Sequence, residues 1–447
     1  MILLIPPRPA RRNPKMVSDR RSIGIGLMGI GVVGSGVARI LHEKAGVYAR
    51  QIGCPLELRR VLVRDTAKTR NFQVDPALLT TDAADLLDDP TIDLIIEVIG
   101  GEEPAYRYLR QALVNGKFVV TGNKEVMAKH GAELILLARE HNVDLLYEAS
   151  VGGGIPIIAP LKRDLLANDI LSVTAIINGT TNYILTSMSK AGAGFADALA
   201  EAQRLGYAEP DPTNDVEGVD ATYKLAILAQ LSFHMDVDPD DVYREGITRL
   251  TPKDFAYARE LGYAIKLLAI AQKTGDAVEL RVHPTLISAD ELLANVDGVL
   301  NAVQIEGDLM DRVLFQGPGA GSLPTTSAVV ADALDAAVSI SNKVYWPHSF
   351  RREAGLRAMP MSEVRSRYYL RMRVADRPGV LAQIAGALSD ALISIASVIQ
   401  KEAEGEGAAE IVIMTHEARE ADLQSALQSV ERLNGVEGVQ QILRVKS

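Results

Sequence analysis

The glycines at positions 29, 31 and 34 constrain the fold of this chain more than any other feature. They form the pattern G-x-G-x-x-G directly after the apolar run 23–28 and at the start of a helical period. In a strand–turn–helix context the first glycine permits a tight turn, the second lets the backbone approach a pyrophosphate, and the third lets helix and strand pack closely. The pattern alone is weak, but its position predicts a dinucleotide site. Its phosphate-binding turn would consist of Gly29, Ile30, Gly31, Val32, Val33 and Gly34.

Residues 22–151 alternate short apolar runs with helical periods. The runs are 23–28, 58–63, 94–99, 118–121 and 143–147. Apolar runs without polar alternation are typical of strands buried on both faces, and strands alternating with helices form right-handed crossovers. We therefore predict an α/β fold with a Rossmann-type, doubly wound parallel sheet over 22–151. A helix within 322–345 would complete this domain.

The end of the second predicted strand carries charges of both signs, which bears on the choice of cofactor. In this fold an acidic residue there holds the ribose of NAD, whereas a basic residue accommodates the 2′-phosphate of NADP. The strand ends at Arg64-Asp65, after a short insertion around 47–54, with Lys68 close behind. Arg64 and Lys68 favour NADP and Asp65 would suit NAD, so both cofactors stay open.

Residues 152–321 mix helical periods with strand-like runs and contain no second glycine fingerprint. In this region we expect helices at 156–166, 195–205, 221–232 and 255–273 and strands at 171–177 and 278–284. A further helix is expected after it, at 327–339. The α+β region 152–321 is interpreted as the substrate-binding, catalytic and dimerisation domain.

A linker over 346–365, which contains Pro347 and Pro360, separates a third unit at 366–447. Its runs and periods follow the order βαββαβ, which is typical of a ferredoxin-like sandwich. The size of this unit and the composition of the linker favour a domain that can fold by itself.

The composition excludes several classes of protein. A net charge of −10 argues against a general nucleic-acid-binding protein, which would carry a basic face. No run approaches the ~18 consecutive apolar residues of a membrane span. The single cysteine, Cys54, excludes an internal disulfide and a multi-cysteine metal site, and it fits a cytoplasmic protein.

The first 21 residues differ from the rest of the chain. They carry six basic residues against one acidic residue, together with four prolines, so we expect a disordered basic tail. The apolar run 2–5 is too short for a secretory signal. A targeting role stays open beside a plain extension, and Met16 could be the real start.

A dense group of carboxylates ends at Asp220. Asn214 followed by Glu217 is typical of a capping box that starts a helix. On that helix Asp220 and Lys224 are four residues apart and share one face. An exposed ion pair of this kind commonly contributes little to stability and has no functional role. Residues 225–229 are apolar on every side, however, so the helix is expected to enter the core, where a desolvated lysine can exchange protons.

Two further segments lie at strand ends of the predicted sheet. Lys124 follows the strand at 118–121, at the edge where ligands of such folds bind, and could face a nicotinamide and a substrate carboxylate. Surface exposure is the alternative for a loop lysine. Glu148 precedes a glycine-rich turn at 152–154, which can direct carbonyl oxygens at a hard cation. A plain interdomain turn is the alternative there.

Taken together and in this order, seven strings resemble one family. They are GIGVVGSG (29–36), TGNK (121–124), EASVGGGIP (148–156), NGTTN (178–182), GYAEPDPTNDVEGVDATYK (206–224), QGPGAG (316–321) and PT (324–325). Over residues 22–447 the chain resembles homoserine dehydrogenases of the longer type, which carry a C-terminal ACT domain. The resemblance implies interconversion of L-homoserine and L-aspartate 4-semialdehyde with NADP or NAD, a step in threonine, methionine and isoleucine biosynthesis.

The resemblance also implies roles for individual residues. Lys224 and Asp220 fall on the catalytic pair of the family. The substrate-binding positions are Glu209, Asp215, Lys124 and Gly206. Besides the glycine turn, the cofactor positions are Arg64, Lys68, Ile99, Gly100, Thr121, Lys124, Gly321 and Thr325. A monovalent-cation site, usually sodium, falls on Glu148 and on backbone oxygens of Val151, Gly153 and Ile155.

Residues 376–381, with the sequence DRPGVL, resemble an ACT domain, a small module that senses amino acids. In related enzymes the effector is commonly threonine, and such modules work in pairs, so at least a homodimer is implied. Candidate effector contacts are Asp376, Gly379, Ser394 and Gln400. The chain departs from the expected glycine-containing turn at Leu392, which bears on effector binding more than on the fold.

A different class of function stays open as an alternative. The same ACT-like unit could belong to a non-catalytic amino-acid sensor that regulates a partner protein. The intact set of carboxylates and lysines argues against this alternative, because a sensor could have lost those groups.

Overall fold

The computed structural model describes residues 22–68, 72, 74–344, 355–402 and 407–446. The expected tail at 1–21 and the first part of the expected linker, 346–354, lie outside the described residues.

The first domain follows the predicted alternation of strands and helices. Its elements are β1 (Ile23–Met28), α1 (Val32–Glu43), α2 (Ala45–Ile52), β2 (Leu56–Leu62), β3 (Leu79–Thr80), α3 (Ala84–Leu87), β4 (Leu94–Glu97), α4 (Ala105–Val114), β5 (Phe118–Thr121), α5 (Lys124–Glu140) and β6 (Leu145–Leu146). All six strands are parallel, in the order β3-β2-β1-β4-β5-β6. This is the strand order of the dinucleotide-binding fold, and the predicted Rossmann-type sheet is confirmed. The extra residues before β2 form the helix α2.

The second domain contains long strands covered by helices. Its elements are α6 (Ile158–Lys162), β7 (Ile170–Ile176), α7 (Gly179–Ala191), α8 (Phe195–Arg204), α9 (Thr213–Val216), α10 (Val219–Phe233), β8 (Tyr243–Arg244), α11 (Pro252–Glu260), β9 (Tyr263–Thr274), β10 (Ala277–Ser288), β11 (Leu300–Gly307), β12 (Asp311–Pro318) and α12 (Ser322–Asn342). The sheet has the order β12-β11-β7-β9-β10. Helix α10 is buried along nearly its whole length, as its apolar sequence indicates.

Two predictions for this domain are wrong. The helix expected at 255–273 ends at Glu260, and Gly262, with φ +82°, leads into β9. The apolar run that follows forms an antiparallel hairpin with β10 over its full length, so pairing overrides its helical period. The capping box expected at Asn214 and Glu217 is also absent, because Gly218, with φ +79°, separates α9 from α10.

The third domain has the predicted ferredoxin-like order. Its elements are β13 (Arg357–Met359), β14 (Arg365–Ala375), α13 (Val380–Asp390), β15 (Ile395–Glu402), β16 (Ala408–Thr415), β17 (Ala418–Arg419), α14 (Glu420–Val430) and β18 (Val436–Val445). The sheet runs β18-β14-β16-β15, and β15 forms its end. Helices α13 and α14 cover one face of this sheet through a core of their own.

The second and third domains share one sheet. Strand β18 pairs in parallel with β10 at Thr285 and Leu286. The end of the expected linker is also a strand, since β13 pairs with β10 from Ala277 to Glu279. The third domain is therefore joined to the second by backbone hydrogen bonds and not only by a linker.

Helix α12 returns the chain to the first domain, as expected for 322–345. Its residues Val329, Ala333 and Ala337 are buried in the core of that domain, and it packs against α1. Among the described residues it is the one helix that is long and apolar enough to cross a membrane by length and composition alone. Its packing in the first domain is that of a core helix.

Candidate active site

The glycine turn between β1 and α1 has the geometry that a dinucleotide requires. Gly29 has φ +94°, a conformation that favours glycine. A Cβ on Gly34 would lie 2.1 Å from the carbonyl oxygen of Gly29, so the helix can approach the strand this closely only without a side chain. At Gly31 nothing lies within 4 Å of such a Cβ, which leaves the backbone open to a phosphate.

A groove of about 720 Å³ begins at this turn. It is lined by Gly29, Ile30, Gly31, Val32, Arg64, Asp65, Lys68, Ile99 and Gly100, among others. Val33 and Gly34 are not among its lining residues, and Gly34 packs against the turn. The structure thus brings the predicted 2′-phosphate residues and the glycine turn to one groove.

The buried carboxylate of Glu97, at the end of β4, was not predicted as part of the site. It accepts hydrogen bonds from the backbone N–H groups of Ile99 (2.7 Å) and Gly100 (3.3 Å) and from the hydroxyl of Thr121 (2.5 Å). Burial raises the pKa of Glu97 in spite of these hydrogen bonds. Thr121, a predicted cofactor residue, therefore supports the groove from behind. The sequence signal that could have identified Glu97 is an acidic residue at the end of an otherwise apolar strand.

The predicted pair on α10 is present and buried. Nζ of Lys224 donates to the carboxylate of Asp220 at 2.7 Å and to the carbonyl oxygen of Ile177 at 2.8 Å. Lys124, at the start of α5, donates to the other carboxylate oxygen of Asp220. Two lysines from different domains thus converge on one carboxylate.

Electrostatics keep Asp220 ionised. Burial raises the pKa of its carboxyl, but the charges of Lys224 and Lys124 outweigh burial and hold the pKa well below its usual range. For Lys124, burial lowers the pKa, and the carboxylate of Asp220 more than compensates, so the pKa is raised.

A cavity of about 250 Å³ lies beside the cofactor groove and is lined by both lysines of this cluster. Lys124, Lys224 and Thr325 line it, and Gly100 lines both the cavity and the groove. Gly321, with φ +126°, is the residue before α12, and Thr325 of that helix lines the cavity. A dinucleotide in the groove would thus extend toward the two lysines.

The predicted substrate residues are only partly brought together. Asp215 connects to Asp220 through the side-chain amide of Asn178, which donates to both carboxylates. Glu209 is exposed, and within the described residues its carboxylate makes no hydrogen bond. Gly206, with φ +77°, terminates α8 and starts the loop that leads to Glu209.

The glycine-rich loop predicted to bind a cation follows Glu148. Both carboxylate oxygens of Glu148 accept backbone N–H groups at the start of α6, from Ile157 (2.5 Å), Ile158 (2.9 Å) and Ala159 (2.7 Å). The carboxylate is thus already used in capping that helix. Within the described residues the hydroxyl of Ser150 is buried without a hydrogen-bond partner.

The candidate effector residues do not meet within one chain. Asp376 and Gly379 lie in the exposed turn before α13, whereas Ser394 lies beyond the other end of that helix. Gln400 is exposed on β15. Leu392, the departure from the expected turn, has φ +59° and is 94% exposed.

The parallel sheet, the glycine turn with its groove, and the two lysines of the adjoining cavity, both paired with Asp220, define an NAD(P)-dependent oxidoreductase. Sequence models of known families match in the same order. The homoserine dehydrogenase NAD-binding domain matches residues 29–148, the homoserine dehydrogenase domain matches 156–334 and the ACT domain matches 368–435. The chain belongs to the homoserine dehydrogenase family.

Individual relatives agree with this assignment over nearly the whole chain. The homoserine dehydrogenase of Neisseria gonorrhoeae is 43% identical over 433 residues, which cover 96% of this chain and 99% of the relative. That of Bacillus subtilis is 40% identical, with 95% and 99% covered. A crystal structure of the Thiobacillus denitrificans enzyme is 44% identical, with a TM-score of 0.89 and 95% and 98% covered.

A shorter relative bears on the cofactor. A hyperthermophilic archaeal homoserine dehydrogenase, solved in complex with NADPH, is 29% identical with a TM-score of 0.61, and the match covers 71% of this chain and 98% of that one. The expected function is confirmed: the chain is a homoserine dehydrogenase with an ACT domain. The alternative of a non-catalytic sensor is not favoured.

Proposed function

We propose that Lys224 and Asp220 are the catalytic residues of the homoserine dehydrogenase reaction in this chain. One observation carries the proposal: Lys224 and Lys124, which both donate to the carboxylate of Asp220, line the cavity that adjoins the dinucleotide groove. A buried lysine held by a carboxylate can exchange a proton with a substrate hydroxyl.

The residues divide the reaction between them. The nicotinamide, when bound, supplies the hydride for the aldehyde of aspartate semialdehyde or accepts it from homoserine. Lys224 gives the proton to the substrate oxygen or takes it away, and Asp220 fixes the ammonium of Lys224 in the cavity. The hydrogen bond of Lys224 to the carbonyl oxygen of Ile177 further restricts its direction.

The remaining charges suit the amino-acid end of the substrate. Lys124 is a cation at the cavity wall and would bind the substrate carboxylate. Asp215 and Glu209 would bind the ammonium group, with Gly206 providing the turn before Glu209. Glu209 is exposed, so its part in binding requires the loop 206–212 to approach the cavity when substrate is present.

The preferred cofactor is NADP. Arg64 and Lys68 line the groove beside the glycine turn, where a 2′-phosphate would need cations. The NADPH bound by the archaeal relative supports this choice. Asp65 lines the same groove and would contact a bare ribose, so NAD would also bind.

A monovalent cation, with sodium as the first candidate, would bind at the loop after Glu148. The donors there are backbone oxygens of Glu148, Val151, Gly153 and Ile155, and the unpartnered hydroxyl of Ser150 adds an oxygen. Oxygen donors suit a hard cation. The carboxylate of Glu148 would hold the loop against α6.

Regulation, assembly and location complete the proposal. Threonine would act through the ACT domain, with Asp376, Gly379, Ser394 and Gln400 as contacts contributed by two chains, because one chain keeps them apart. The enzyme would then be at least a homodimer.

The proposed location of the enzyme is the cytoplasm. The single cysteine, Cys54, is buried and free, which suits the cytoplasm.

The test of the catalytic roles is NADPH oxidation with aspartate semialdehyde. Lys224→Ala should lower kcat by about 10²–10⁴-fold, the usual contribution of a general acid–base. Lys190→Ala changes an exposed lysine at the end of α7 that is paired with Asp297, and it serves as the control, with unchanged kcat. Turnover of Lys224→Ala equal to that of the wild type would refute the role of Lys224.

A further inference from the structure

Asn178 lies directly before α7 and is buried, with 6% of its surface exposed. Its Oδ1 accepts hydrogen bonds from the backbone N–H of Thr181 and from the hydroxyl of Thr181, both at 2.9 Å. These bonds cap the helix. They also fix the direction of the amide, because a flipped amide would place its NH₂ group against the N–H of Thr181.

The fixed amide directs both of its protons at carboxylates. Nδ2 donates to Asp215 at 2.6 Å and to Asp220 at 2.9 Å. An amide NH₂ group has two N–H bonds, so each carboxylate can receive one. Asp220 thus has three donors on its two oxygens, namely Lys224, Lys124 and Asn178.

We propose that Asn178 is a positioning residue, which holds the ammonium-binding carboxylate Asp215 at a fixed distance from the catalytic carboxylate Asp220. The inference rests on the roles of Asp215 and Asp220 proposed above. Two neighbouring carboxylates with no donor between them would repel each other and move apart. The shared amide removes that conflict and ties the position of the substrate ammonium to that of Lys224.

The neutrality of the bridge matters as much as its hydrogen bonds. A lysine or arginine at this position would neutralise Asp215 and compete with the substrate ammonium group. An amide donates hydrogen bonds without adding charge, so Asp215 keeps its charge for the substrate. The charge of Asp220, in contrast, is balanced by Lys224 and Lys124.

Asn178→Ala and Asn178→Ser test the bridge by steady-state kinetics. Serine can still cap α7 but cannot reach both carboxylates with two donors. Each variant should raise KM for homoserine and lower kcat, with kcat/KM reduced about 10–100-fold, as expected for lost hydrogen bonds to charged groups. KM for the cofactor should stay unchanged, because Asn178 does not line the cofactor groove.

Asn178→Asp separates positioning from a merely structural role. The aspartate can still accept from Thr181, but it places a third carboxylate against Asp215 and Asp220. Protonation of the introduced aspartate restores one donor. The ratio of kcat/KM for Asn178→Asp to kcat/KM for Asn178→Ala should therefore rise as the pH falls from about 9 to about 6. A constant ratio over this range would overturn the proposal.

Asn182→Ala is the matched control on the same helix. Asn182 is also buried, but its Nδ2 donates to the carbonyl oxygens of Val296 and Leu300 and not to a carboxylate. This variant should lower the Tm with unchanged KM for homoserine. If Asn178→Ser behaves in the same way, Asn178 is only structural. Full activity of Lys224→Ala would instead overturn the proposed catalytic roles, so the two failures are distinguishable.

Discussion

Nε of Arg371, on β14 of the ACT domain, donates a 2.7 Å hydrogen bond to the carboxylate of Asp254, on α11 of the catalytic domain. Asp254 has no exposed surface. The guanidinium also donates to Glu410 and to Thr251, both at 3.2 Å. A buried cation from one domain thus balances a buried anion from the other. If one of the two is removed, the charge that remains stays buried, and water does not take the place of its partner.

The first prediction concerns this buried ion pair. Arg371→Met should lower the free energy of unfolding by about 3–5 kcal/mol, because it leaves Asp254 buried without its counter-charge. The control is Arg365→Met, on the same strand, where both side chains of the pair with Glu417 are exposed. That change should cost about 1 kcal/mol or less. Urea unfolding measures both, and equal losses would contradict the burial argument.

Local patterns predicted most of the fold. The buried runs 23–28 and 118–121 are strands of the parallel sheet, and the last domain has the predicted βαββαβ order. The run in β9 was assigned wrongly, because its apolar period suits a helix as well as a strand. Only its pairing with β10 decides between them, and pairing is not encoded in a local period.

Spacing predicted the site only where its residues are close in the sequence. Asp220 and Lys224 are one helical turn apart, and their contact is present as predicted. Asn178 reaches Asp220 from 42 residues away, and Arg371 reaches Asp254 across 117. No local pattern reports such contacts, since they depend on how whole elements pack.

A second prediction tests the choice between NADP and NAD. Arg64→Ala should weaken binding of NADPH much more than that of NADH, because only NADPH offers a 2′-phosphate to the guanidinium. Asp65→Ala, at the adjacent position of the groove, is the counterpart and should weaken NADH more. Fluorescence titration of each variant with both cofactors gives the Kd values. Equal losses for both cofactors in Arg64→Ala would exclude contact with the 2′-phosphate.

A third prediction concerns Asp332 of α12, which accepts the backbone N–H of Glu148 at 2.8 Å. Burial raises the pKa of Asp332 to about 7. In the unfolded chain the carboxyl of Asp332 loses its proton at about pH 4, whereas in the folded chain it keeps the proton up to about pH 7. This group therefore lowers the free energy of unfolding as the pH rises from about 4 to about 7. An asparagine in place of Asp332 would keep an acceptor for the N–H of Glu148 without the charge.

The substitution Asp332→Asn should therefore stabilise the protein more at about pH 8 than at about pH 5, with a difference of about 1–3 kcal/mol. Thermal or urea unfolding at both pH values measures it. Asp290→Asn, at an exposed site outside α12, is the control and should give nearly the same change at both. A gain for Asp332→Asn that does not depend on pH would contradict the assigned protonation.

The last prediction concerns removal of the ACT domain by ending the chain after Met361. The linker composition favours a detachable domain, whereas the structure argues against one. Truncation would remove Arg371 from Asp254 and would expose the edge of β10 at Thr285 and Leu286, where β18 pairs. A bare edge and an uncompensated buried carboxylate both favour unfolding and aggregation.

We therefore expect the truncated chain to show a lower Tm and poor solubility, while the full chain stays folded. Adding Asp254→Leu to the truncated chain removes the buried charge and should recover part of the lost stability, whereas Asp308→Leu, at an exposed site, should not. A truncated enzyme with the Tm of the full chain would show that the shared sheet contributes little. Its response to threonine would then separate the regulatory role of the ACT domain from its structural one.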